Sequence, residues 1–89
     1  MGETVMYKGR PLVRNGNKIY YGDPKDKYIL VLTILENKDN VPTRINIQIW
    51  DTNPDLALKS EKIVKQGEKK DLSEAMDFGI VWLERELAK

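Results

Sequence analysis

Residues 28–50 read YILVLTILENKDNVPTRINIQIW, and the two halves of this stretch ask different things of a sheet. From Thr43 to Trp50 the alternation is strict. Ile45, Ile47 and Ile49 fall on one side, and Arg44, Asn46, Gln48 and Trp50 on the other. A period of two marks a strand with one dry face and one wet face. Tyr28 to Glu36 is instead apolar on both sides, so it needs cover on both. Between them Asn37 to Asn40 is a turn by composition, and Pro42 marks the entry to the second strand. The pair predicts an antiparallel hairpin with a core under one face and a second layer over part of the other. Three covers are open: the chain's own N-terminal hairpin, a second copy, or a partner.

Upstream, Arg10 to Gly22 reads as another hairpin. Asn15-Gly16 supplies two residues that tolerate positive φ, as a type I′ turn demands. That turn sets Arg14 opposite Asn17, Leu12 opposite Ile19 and Arg10 opposite Tyr21. Whether this hairpin extends the sheet or folds over it is left open by the pattern. Gly22 to Asp26 is a loop by composition. Residues 1–9 carry little pattern and are expected to be poorly ordered, leaving 10–89 as one domain.

Downstream, Asp55 to Ser60 fits one helical turn or an irregular connection. Lys62 to Gln66 is a short strand whose lysines suit a sheet edge, and Gly67 is expected to end it. The last segment is a helix. Asp71 caps it and Glu74 stands three positions later, the spacing of a capping box, while Lys89 suits the negative end of the dipole. At 100° per residue, Leu72, Ala75, Met76, Gly79, Ile80, Leu83 and Leu87 share one face. Glycine in mid-helix costs about 1 kcal/mol against alanine, so Gly79 predicts a close approach to the sheet. Phe78 and Trp82, four apart, widen the apolar arc beyond what one sheet face hides. They are either covered by the N-terminal hairpin or form a partner surface. The fold class that follows is α+β: a two-layer antiparallel meander of four to five strands, N-terminal hairpin first, with one C-terminal helix packed on one face.

Composition limits the chemistry. The 89 residues hold 40% hydrophobic and 33% charged side chains, with a net charge of +1, which allows one core and disfavours a strongly basic nucleic-acid binder. There is no Cys and no His. Disulfides, thiol nucleophiles, His relays and Cys- or His-ligated metals are therefore outside its means. The carboxylates sit in turns (Asp23, Asp26, Asp39), near a strand end (Asp51, Asp55) or on the polar helix face (Asp77, Glu84). That is the distribution of solvated surface charge. Asp51 to Asp55 superficially resembles the start of a calcium loop but lacks its glycine and distal Glu. Phosphate-loop motifs are absent. The expectation is a non-enzymatic chain with no cofactor and no metal. No apolar run reaches the roughly 18 residues of a membrane span, and Met1 to Met6 has no signal-peptide pattern. A cytoplasmic, membrane-free protein is expected.

One face carries a second candidate. Arg44, Gln48 and Trp50 point away from the isoleucines, and Arg10, Arg14 and Tyr20 lie on the neighbouring hairpin. Basic, amide and aromatic side chains on a sheet can stack bases and track phosphates. Charge is also uneven: residues 59–70 hold five Lys against two Glu, and residues 71–89 five acids against Arg85 and Lys89. In element order, antiparallel strands followed by one C-terminal helix, the chain resembles the single-stranded DNA-binding coactivator domains. The likeness is of architecture, and it implies the two-layer fold without assigning a role to any residue. The favoured expectation is a small interaction or self-association module, a homodimer or the ligand of an unidentified protein, with Phe78 and Trp82 as its partner surface. The alternative is a weak single-stranded nucleic-acid binder using Arg10, Arg14, Tyr20, Arg44, Gln48 and Trp50.

Overall fold

The computed structural model describes residues 3–23, 25–55 and 59–88. Its strands are β1 (Glu3–Tyr7), β2 (Arg10–Asn15), β3 (Lys18–Tyr21), β4 (Tyr28–Lys38), β5 (Val41–Asp51) and β6 (Ile63–Lys69). They form one six-stranded sheet in chain order, each antiparallel to the next. A helical turn, α1 (Lys59–Lys62), precedes β6, and α2 (Leu72–Leu87) follows it. This is the expected two-layer α+β meander with its C-terminal helix laid on one face. Residues 56–58 of the connection, and the dipole role of Lys89, lie outside the described residues.

The sheet has more strands than expected, and the addition is β1, within the stretch read as patternless. Lys8 and Gly9, at φ 50° and 82°, form its turn into β2. No Asn-Gly or Asp-Gly pair marks that turn in the sequence. The hairpin of residues 10–22 extends the sheet instead of covering it, and its register also differs from the expected one. Gly16 and Asn17 are the turn residues, so Arg14 faces Ile19 and Leu12 faces Tyr21. Gly16 alone takes positive φ (62°), the pattern of a II′ turn, which spares Asn17 the left-handed region. Pairing is displaced by two residues, so every side chain keeps its face.

The central hairpin turns on Asp39 and Asn40, both at positive φ. Beyond Ile34, which pairs with Ile45, the register slips twice: an extra residue, Leu35, enters β4 before Glu36 pairs with Arg44, and an extra residue, Thr43, enters β5 before Asn37 pairs with Pro42. The Leu35 insertion reverses the alternation and brings Glu36 to the side of Arg44.

Registers combine into rows across the sheet. On the helix side one row runs Val5, Leu12, Tyr21, Leu30, Ile49, Lys65, and the next Arg14, Ile19, Leu32, Ile47, Gly67. Leu30, Leu32, Ile45, Ile47 and Ile49 are fully buried beneath Ala75, Ile80 and Leu83 of α2. Asp71 caps the helix as expected, accepting from the amides of Ser73 (2.7 Å) and Glu74 (3.3 Å). The Glu74 carboxylate turns instead to Lys69 Nζ, 3.6 Å away. Gly79 makes the close approach predicted for it: a Cβ there would lie 2.6 Å from Leu30 Cδ1. Gly67 does not end β6. It sits beneath the Trp82 ring, where a Cβ would come within 2.7 Å of the indole. Glycine within a strand here gives an aromatic ring close access to the backbone.

Candidate functional site

The helix divides its side of the sheet unequally. α2 lies against β4, β5 and β6. With side chains a helix is about 10–12 Å wide. Strands sit about 4.8 Å apart, so one helix cannot roof six of them. The unroofed part is a groove of about 400 Å3 between β1–β3 and the first half of α2. Tyr7, Leu12, Ile19, Leu72 and Met76 line it, and Ser73 and Asp77 stand on the helix wall. Its far end is held in place. Tyr21 donates its hydroxyl to the Tyr7 carbonyl at 2.8 Å, and the two rings meet edge to face with centroids 6.0 Å apart. Arg10 reaches across to Glu84 of α2 at 3.5 Å. The sequence reading did not single out this groove, although the excess of sheet width over helix width was a usable signal.

Phe78 and Trp82 lie on the opposite flank of α2, toward β6 and away from the N-terminal hairpin. Trp82 is half-buried on Gly67 with Lys65 Nζ 4.8 Å from its ring centre. Lys69 Nζ stands 4.0 Å from the Phe78 ring, which stays 42% exposed. Cations over ring faces are attracted by the aromatic quadrupole. With Asp77, Val81 and Arg85, the two rings border a second, shallower depression of about 230 Å3.

The other side of the sheet carries no second layer among the described residues. Val31 is nevertheless fully buried there. Its direct neighbours across the strands are Tyr20 and Gln48, and side chains at that spacing reach one another. Flanking side chains therefore do what a second layer was expected to do. Trp50 Nε1 donates to Gln48 Oε1 at 2.8 Å, and Gln48 Nε2 donates to Gln66 Oε1 at 3.4 Å. Arg44 sits between two carboxylates, Glu36 at 3.1 Å and Glu68 at 2.9 Å. Their hydrogen bonds, that of Glu36 first, hold its guanidinium above its usual pKa.

The nucleic-acid candidates therefore separate. Tyr20, Arg44, Gln48 and Trp50 share the open face. Arg10 and Arg14 pair with Tyr7 and Ile19 on the helix side. Strand alternation alone places both arginines with Leu12, so the separation was readable in the sequence. Near the end of β5 the Asp51 carboxylate caps a turn, accepting from the amide of Asn53 at 2.8 Å, and the side-chain oxygen of Asn53 accepts from the backbone N–H of Asp55 at 3.0 Å. Among the described residues no cluster of three or more His, Cys, Asp or Glu could hold a metal, and no helix is long and apolar enough to cross a membrane.

No protein-family model, curated protein or solved structure matches the chain. The functional reading thus rests on the geometry of its surfaces.

Proposed function

We propose that this protein is a non-enzymatic interaction module that docks an apolar segment of another chain in the groove between β1–β3 and α2. One observation carries the reading: beside α2 the helix side of the sheet is left unroofed along β1 and β2, where Tyr7, Leu12, Leu72 and Met76 border a groove floored by the buried Ile19. Such a groove suits an amphipathic helix, which would complete the second layer. Methionine favours this work, because its flexible thioether adapts to different occupants. The test uses a leucine-rich amphipathic peptide and protein carrying isotope-labelled methionine methyl groups. The Met76 resonance is expected to shift on titration, and Leu12→Lys to abolish the shift. A Met76 signal indifferent to the peptide removes the groove as a docking site.

A second reading uses the open face, which carries Tyr20 and Trp50, aromatic residue types on which bases can stack. Charge weighs against it. The arginine of that face is bracketed by two glutamates, Gln48 is engaged with Trp50 and Gln66, and Arg10 and Arg14 lie on the other side. In a Trp82→Phe background, salt-sensitive quenching of Trp50 by a single-stranded oligonucleotide, lost in Arg44→Glu, would restore this reading.

A further inference from the structure

The two edges of the sheet are built differently. β6 carries Lys65 and Lys69, and its register with β5 slips between Ile49 and Trp50. Lysines and irregular pairing discourage another strand from adding. β1 has neither Lys nor Pro, and its register with β2 is unbroken from Glu3 to Tyr7. Val5 and Met6 are 52% and 67% exposed. The apolar row Val5, Leu12, Tyr21, Leu30, Ile49 stops at a lysine on the β6 edge but runs off the β1 edge with nothing beyond it.

The direction of the free backbone groups follows from the turns. The two-residue turn after β1 closes on Tyr7 and Arg10, so Glu3, Val5 and Tyr7 exchange hydrogen bonds with β2. The next hairpin agrees: Gly22 N donates to Pro11 O, which leaves Arg10, Leu12 and Arg14 to serve β1. The N–H and C=O groups of Thr4 and Met6 therefore face the free edge.

We infer that β1 pairs antiparallel with the β1 of a second copy, about a two-fold axis at Val5, joining two sheets into one. Thr4 of each copy then exchanges both hydrogen bonds with Met6 of the other, and the open edge is satisfied. Val5 meets its counterpart and continues the apolar row across the axis. Growth ends at two copies, because both outer edges are then the guarded β6. That closure is what an isologous dimer requires. The inference rests on the reading of the chain as an association module but uses the edge and not the groove.

Sedimentation equilibrium of the full chain is expected to give a dimer. Met6→Pro removes one outward donor and leaves the β1–β2 ladder intact, because proline is tolerated where an edge N–H faces outward. It should weaken dimerisation about tenfold or more, each lost bond counting twice by symmetry. The double variant Thr4→Lys/Met6→Lys sets lysine opposite lysine and should give the same loss, which guards against a folding defect in the proline variant. Val5→Cys should form an intersubunit disulfide on mild oxidation, since a non-bonded antiparallel pair brings Cα atoms to about 4.5 Å. A dimer that survives both edge variants and yields no disulfide overturns the edge pairing and leaves the module reading standing. A monomer from micromolar to millimolar concentration overturns self-pairing altogether, and the groove is then judged by Met76 alone.

Discussion

Under α2, the strands β4 and β5 bury Leu30, Leu32, Ile45, Ile47 and Ile49 completely, whereas β1, on the same side of the same sheet, leaves Tyr7 and Val5 open to solvent and Leu12 of β2 is only half-buried. Both halves have inward-facing apolar residues on paired antiparallel strands. They differ in whether a helix lies on them. One half is a core, and the other is the floor of a groove. Burial here is decided by the width of the cover and not by the character of the strand beneath it.

The sharpest way to break this contrast is to take the cover away. A chain ending at Lys70 lacks α2 and exposes Ile45, Ile47 and Ile49 to water. It is expected to give no cooperative thermal transition by circular dichroism. A chain that starts at Arg10 should still melt cooperatively, since β1 lies outside the roofed half. Less drastic is Gly79→Ala. In an exposed helix that change would stabilise by about 1 kcal/mol. Here the new methyl meets Leu30, which is enclosed on every side, so the variant should lose about 1–3 kcal/mol in denaturant melts, as overpacked cores do. The smallest effect compares the two halves directly. Ile47→Ala, under the helix, should cost about 2–5 kcal/mol, and Leu12→Ala, on the groove floor, about 1 kcal/mol. Equal losses at the two positions would mean that the groove is closed in solution.

Much of this architecture was legible in the residues. The alternation of Ile45, Ile47 and Ile49, the Asp71 cap and the apolar stripe of the last helix fixed the layers, and Gly79 announced its close approach. Turn chemistry was less legible. A I′ turn made by Lys8 and Gly9 has no dipeptide signature, so β1 went unseen, and the choice between Asn15-Gly16 and Gly16-Asn17 depended on pairing farther along the strands. The inserted residue at Leu35 had no local mark either. Its effect is to bring Glu36 beside Arg44, which neutralises the charge that had suggested a phosphate-tracking face. The doubled hydrophobicity of β4 predicts a second layer, yet Val31 is fully buried between its cross-strand neighbours Tyr20 and Gln48 with no further layer among the described residues. The groove was missed because no residue pattern spells it. It emerges only when strands are counted against one helix.

Two notches hold α2 in place, one cut into the helix at Gly79 and one into the sheet at Gly67. Sliding the helix by one turn, about 5.4 Å, would set Ala75 or Leu83 where Gly79 now admits Leu30, and Phe78 or Glu86 where Trp82 now rests on bare backbone. Neither substitute fits both seats at once. The paired hollows therefore index the helix to a single alignment, so the wall of the neighbouring groove stands at a fixed height even before anything enters it.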